Sequence, residues 1–83
     1  MKESTDRKPE EKLTEELEIM RENFRLLRQS KNWSITELSQ ISGIDEKILT
    51  AIENGEDFEV QYLIILCCVY RIKPYEIFLR RGI

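Results

Sequence analysis

The chain has 83 residues, of which 41% are hydrophobic and 35% charged, with no histidine and a net charge of −3. This length provides one small domain with a modest core, and its longest apolar run, Leu63 to Tyr70, is far too short to span a bilayer. The lack of histidine removes the usual metal ligand and general base, the adjacent Cys67 and Cys68 suit neither a disulfide framework nor a zinc site, and no signal peptide is recognisable, so a cytoplasmic protein without metal or cofactor is expected.

Residues 1–8, MKESTDRK, are polar and lack an anchor, which predicts a flexible tail. Pro9 suits the first position of a helix, and Glu10 and Glu11 complement the positive end of its dipole. From there Leu13, Leu17, Met20, Phe24 and Leu27 alternate spacings of four and three, a heptad seam too short for an independent coiled coil. The pattern predicts one long helix from Pro9 to Ser30, with residues 9–22 as an N-terminal extension of a domain at 23–79 and residues 80–83 as the C-terminal end.

Ser34-Ile35-Thr36-Glu37 is a capping box: the serine oxygen accepts from a first-turn amide, while the glutamate reaches back to the Ser34 amide. Leu38 and Ile41 are expected to face inward, and Gly43 to end this helix in the left-handed conformation. Asp45 is an N-cap preceded by Ile44, which can staple against Leu49; Leu49 and Ile52 continue the buried face up to Asn54-Gly55.

A fourth helix begins near Glu59 or Val60. Val60, Leu63, Ile64, Cys67 and Tyr70 form its expected core stripe, yet Ile65, Leu66, Cys68 and Val69 make the other faces apolar too, so it should be covered on more than one side. Lys73-Pro74 opens a last helix, with Ile77 and Phe78 turned inward. No strand pattern is present: the fold class is all-α.

This order of elements resembles the Cro/repressor family of helix-turn-helix domains, the xenobiotic-response-element family, over about Asn23 to Leu79. The segment FRLLRQSKNWSITELSQISGI matches the family's first-helix arginine, capped second helix and turn glycine without a gap. The segment from Leu49 to Gly55 matches the end of the family's third helix, and IKPYEIF at Ile72 to Phe78 its last turn and helix. The resemblance implies a compact five-helix, lambda-repressor-like domain, here with an extended first helix, and a structural ion pair between Arg28 and Glu53.

It also implies a sequence-specific transcriptional regulator that binds double-stranded DNA as a homodimer, with the third helix, about 45–54, in the major groove. Residue by residue, the DNA-binding positions are Ser34, Ile35, Asp45, Glu46, Lys47, Ile48 and Ala51, with Lys31 beside them. The chain departs from that pattern in charge. Residues 34–59 carry Glu37, Asp45, Glu46, Glu53, Glu56, Asp57 and Glu59 against Lys47 alone, and the loop after the third helix would repel phosphates. The alternative is a protein-interaction module that keeps the scaffold but has lost DNA binding.

Other residues have plainer readings. Trp33, next to the Ser34 cap, is expected in the core rather than stacked on a ligand, and Cys67-Cys68 as one buried and one partly covered thiol. The apolar side chains of Leu13, Leu17, Met20, Ile65, Cys68 and Val69 exceed what one small domain can bury and form the expected dimer interface. No nucleophile–base pair or phosphate-cradling glycine loop is present, so an enzyme is not expected.

Overall fold

The computed structural model describes the backbone of residues 9–79 and the side chains of residues 14–79; the expected tail 1–8, the C-terminal end 80–83 and the side chain of Leu13 lie outside the described residues. In chain order the elements are α1 (Pro9–Ser30), α2 (Ile35–Ser42), α3 (Glu46–Asn54), α4 (Val60–Tyr70) and a closing 3-10 turn (Pro74–Phe78). The described residues are all-α. The expected last helix is a single short 3-10 element of five residues that starts at a proline, with Ile77 buried and Tyr75 exposed.

Local chemistry sets most boundaries. At α2 the Ser34 side chain accepts from the Glu37 amide at 3.0 Å, and the Glu37 carboxylate accepts from the Ser34 amide at 2.8 Å. Gly43, at φ +77°, closes the helix by donating to Ser39 O, and Asp45 caps α3 by accepting from the Lys47 amide at 2.8 Å. At the end of α3, Gly55 donates to Ile52 O and Glu56 to Ala51 O, the paired bonds of a Schellman ending. The same pair closes α4 around Arg71, which accepts the left-handed φ of +59° without being glycine.

The core joins all five elements. Met20 and Phe24 from α1 meet Leu38 of α2, Ile44 of the turn, and Leu49 and Ile52 of α3. Leu63, Leu66, Cys67 and Tyr70 of α4, with Ile77, complete it. Trp33 packs against this cluster, stacked on Tyr70 with ring centroids 5.9 Å apart. Asn23 is fully buried and donates through Nδ2 to Ile77 O at 2.8 Å, tying α1 to the closing turn.

Three expectations about facing are corrected. Ile41 is 50% exposed rather than inward: α2 turns its 35–38–39–42 side to the core, and on that side the Ser39 hydroxyl donates to Ile44 O. In α4, Val60 and Ile64 are exposed and Leu66 is buried in their place. The helix packs its 63–66–67–70 face, and a helix apolar on every side carries little information about its own phase. Met20, expected at a dimer interface, is 1% exposed in the chain's own core, and Val69 is half-buried against it.

Candidate nucleic-acid interface

The bihelical unit α2–turn–α3 is held from behind by α1. Arg28 donates through Nε and Nη2 to the two carboxylate oxygens of Glu53, at 2.8 and 2.9 Å, and through Nη1 to Trp33 O at 2.9 Å. The fork thus joins α3 to the segment that enters α2. The hydrogen bonds to Glu53 raise the Arg28 pKa above its ordinary value, against the opposing effect of burial, so the guanidinium keeps its charge. Arg25 adds a bond from Nη2 to Glu53 O at 3.0 Å, satisfying a carbonyl in the last turn of α3.

Beside this network the Tyr70 hydroxyl is buried and makes no hydrogen bond among the described residues. Desolvation, followed by the nearby Glu53 charge, pushes its pKa up, so it stays neutral.

With Leu49, Ile52 and Glu53 turned inward, the opposite side of α3 presents Glu46, Lys47, Thr50 and Asn54, all exposed. These fall at spacings of three and four, so they line one face of the helix. Thr50 and Asn54 were not singled out by the sequence reading; their spacing from Lys47 and Glu46 is the signal that would have found them. Ile48 and Ala51, expected among the reading residues, lie at the edge of this face, half-buried, with Ile48 packed against the core.

The remaining expected positions are spread around this face. Ser34 is exposed but occupied by its capping box, and Ile35 is half-buried against the core. Asp45 is exposed with its carboxylate engaged as a cap. Lys31 is exposed, its Nζ 5.9 Å from the centre of the Trp33 ring. Past the end of α3, Glu56, Asp57 and Glu59 are exposed, so the face has an acidic border.

A family model for helix-turn-helix domains matches residues 24–77, from Phe24 in α1 to Ile77 in the closing turn. The chain belongs to the Cro/repressor-type helix-turn-helix family. No curated protein and no solved structure matches it. Membership makes DNA-binding regulation the functional class. No helix among the described residues is long and apolar enough to cross a membrane. No group of three or more acidic or cysteine side chains among them could hold a metal ion.

Proposed function

We propose that this helix-turn-helix protein is a homodimeric, sequence-specific DNA-binding regulator that lays α3 in the major groove. The observation that carries the reading is the outward face of α3. Lys47, Thr50 and Asn54 stand exposed in one line on a helix whose opposite side is locked by Leu49, Ile52 and the Glu53–Arg28 pair. Asn54 has the bidentate amide that pairs with adenine, Lys47 a donor for guanine or phosphate, and Glu46 an acceptor for cytosine N4. Two-fold symmetry would set two such helices about one DNA turn apart.

Support for the dimer comes from α4, which turns Ile64, Ile65 and Cys68 outward, and from Leu17 of α1, 39% exposed. Charging both sites with Leu17→Glu and Ile65→Glu should give a monomer that binds a palindromic site far more weakly. Sedimentation of the unmodified chain as a clean monomer at high concentration would remove the dimeric reading.

The decisive experiment selects duplexes from a random pool with the full chain, then measures affinity against salt for the winning sequence. Because cations are few and the border acidic, the expected log–log slope is shallow, about −2 to −4. Lys47→Ala and Asn54→Ala should each reduce affinity and relax the preference at one position. A pool that yields no enriched sequence, or a winner bound equally well by both variants, would refute the reading.

A further inference from the structure

An open cleft of about 380 Å³ lies between α3 and the start of α4. Its apolar lining comes from three elements: Ile48 and Ala51 of α3, Phe58 of the connecting loop, and Tyr62 of α4, each half-buried. Around them Asp57 and Glu59 supply two exposed carboxylates, with Glu56 next in the chain, and Lys47 supplies the one cation of the lining. The carboxylates of Glu56, Asp57 and Glu59 have no ion-pair or hydrogen-bond partner among the described residues. The cleft therefore has an apolar interior and a border of unneutralised negative charge.

We propose that this cleft is a docking site for a short segment of another protein, one that carries lysine or arginine around one or two aliphatic or aromatic side chains. The apolar side chain would fill the space over Ala51 and Phe58, and the cations would meet Asp57 and Glu59. The chemistry points away from the anionic alternatives, since nucleic-acid phosphates and acidic lipid headgroups would both be repelled by this border. It also gives the acidic loop a role that operator binding does not use.

Lys47, Ile48 and Ala51 belong both to the cleft and to α3, so a docked segment covers part of the proposed reading helix. Occupancy by the partner and by DNA should be mutually exclusive. The docking site does not depend on operator binding: a chain that binds no duplex would still present this cleft.

The test uses the full isotope-labelled chain and three synthetic ten-residue peptides, observed by amide chemical shifts. One peptide combines lysines with two leucines, the second replaces the leucines with serine, and the third replaces the lysines with glutamate. The lysine–leucine peptide should shift Ala51 and the segment from Asp57 to Tyr62, and should bind more tightly than either control. The surface variant carrying Asp57→Asn and Glu59→Gln, checked for an unchanged melting temperature, should weaken it about fivefold. If operator binding is established, the same peptide should displace the duplex. Equal binding of the lysine–serine peptide would reduce the effect to bare charge attraction and overturn the proposal. Shifts centred on Ile64 and Cys68, or no weakening in the double variant, would do the same. Shifts at the cleft on raising the chain's own concentration, without peptide, would assign it instead to a second copy. Duplex DNA shifting the residues from Glu56 to Glu59 would assign the border to nucleic acid, again against the proposal.

Discussion

The helix-turn-helix unit and α4 are built on opposite principles. α2 and α3 are short, capped at their N-termini by side chains and closed by glycines, and apart from Ile41 their apolar side chains lie on the side that faces the core. α4 has no side-chain cap at Glu59, ends on Arg71 in a left-handed conformation, and is apolar nearly all round. In the first unit neighbouring residues settle where each helix begins and ends. In α4 packing settles which residues are inside, and the surplus apolar side chains remain on the surface. A recognition element needs the first construction, because its reading face must be held in one orientation. An element that offers area to a partner can use the second.

Four measurements would break or sharpen this contrast. The largest effect should come from α4 itself. Leu66→Ala is expected to cost about 3 to 4 kcal/mol, whereas Ile64→Ala, two positions away and 44% exposed, should fall within about 0.5 kcal/mol of the parent. Comparable losses in denaturant titrations would show that α4 is rotated from the packing described, or that its outer face is already buried against a partner.

Arg28→Ala should cost about 3 kcal/mol, because it strands the Glu53 carboxylate at a site where its side chain is only 10% exposed and also frees Trp33 O. An unchanged melting temperature would mean that α1 does not brace the bihelical unit. Replacing both partners, Arg28→Met with Glu53→Leu, should recover much of the loss, since no charge is then left unpaired.

The third measurement is stability against pH at the alkaline end. Burial pushes the Cys67 thiol up to about 11 from an ordinary value of 9.0, and desolvation also raises Tyr70. The unfolded chain therefore loses these protons at lower pH than the folded chain does. The stabilisation is fully present below about pH 9 and is lost as pH rises towards 11, by at most about 3 kcal/mol for Cys67. Cys67→Ala should flatten that slope. A slope insensitive to Cys67→Ala would place this thiol in water.

Ser34→Ala should have the smallest effect, about 1 kcal/mol, since it removes one half of the capping box from a helix also held by Leu38. A loss as large as that of Arg28→Ala would make the cap, rather than the brace from α1, the main determinant of α2.

The residues that act on their immediate neighbours were readable from the linear chain. Ser34 with Glu37, Gly43, Asp45 and Gly55 mark helix ends through bonds to amides and carbonyls a few positions away, and such bonds follow from residue type and spacing alone. The match of Arg28 to Glu53, 25 residues apart, was legible only because the segments around both resemble one family. The closing helix was placed by its proline but its type was not, since proline at the start permits either an α-helix or a 3-10 helix.

Tertiary structure decided the rest. Which side of α4 enters the core, why Ile41 faces out, and why Met20 is consumed within the chain's own core all depend on how neighbouring elements rotate against one another. The same holds for the outer face of α3, where Thr50 and Asn54 stand clear while Ile48 and Ala51 sink towards the cleft beside Phe58. Hydrophobic burial is non-directional, so an apolar side chain states that it will be covered but not by what. Hydrogen bonds to nearby backbone groups are short and directional, so they specify their partner in the sequence itself.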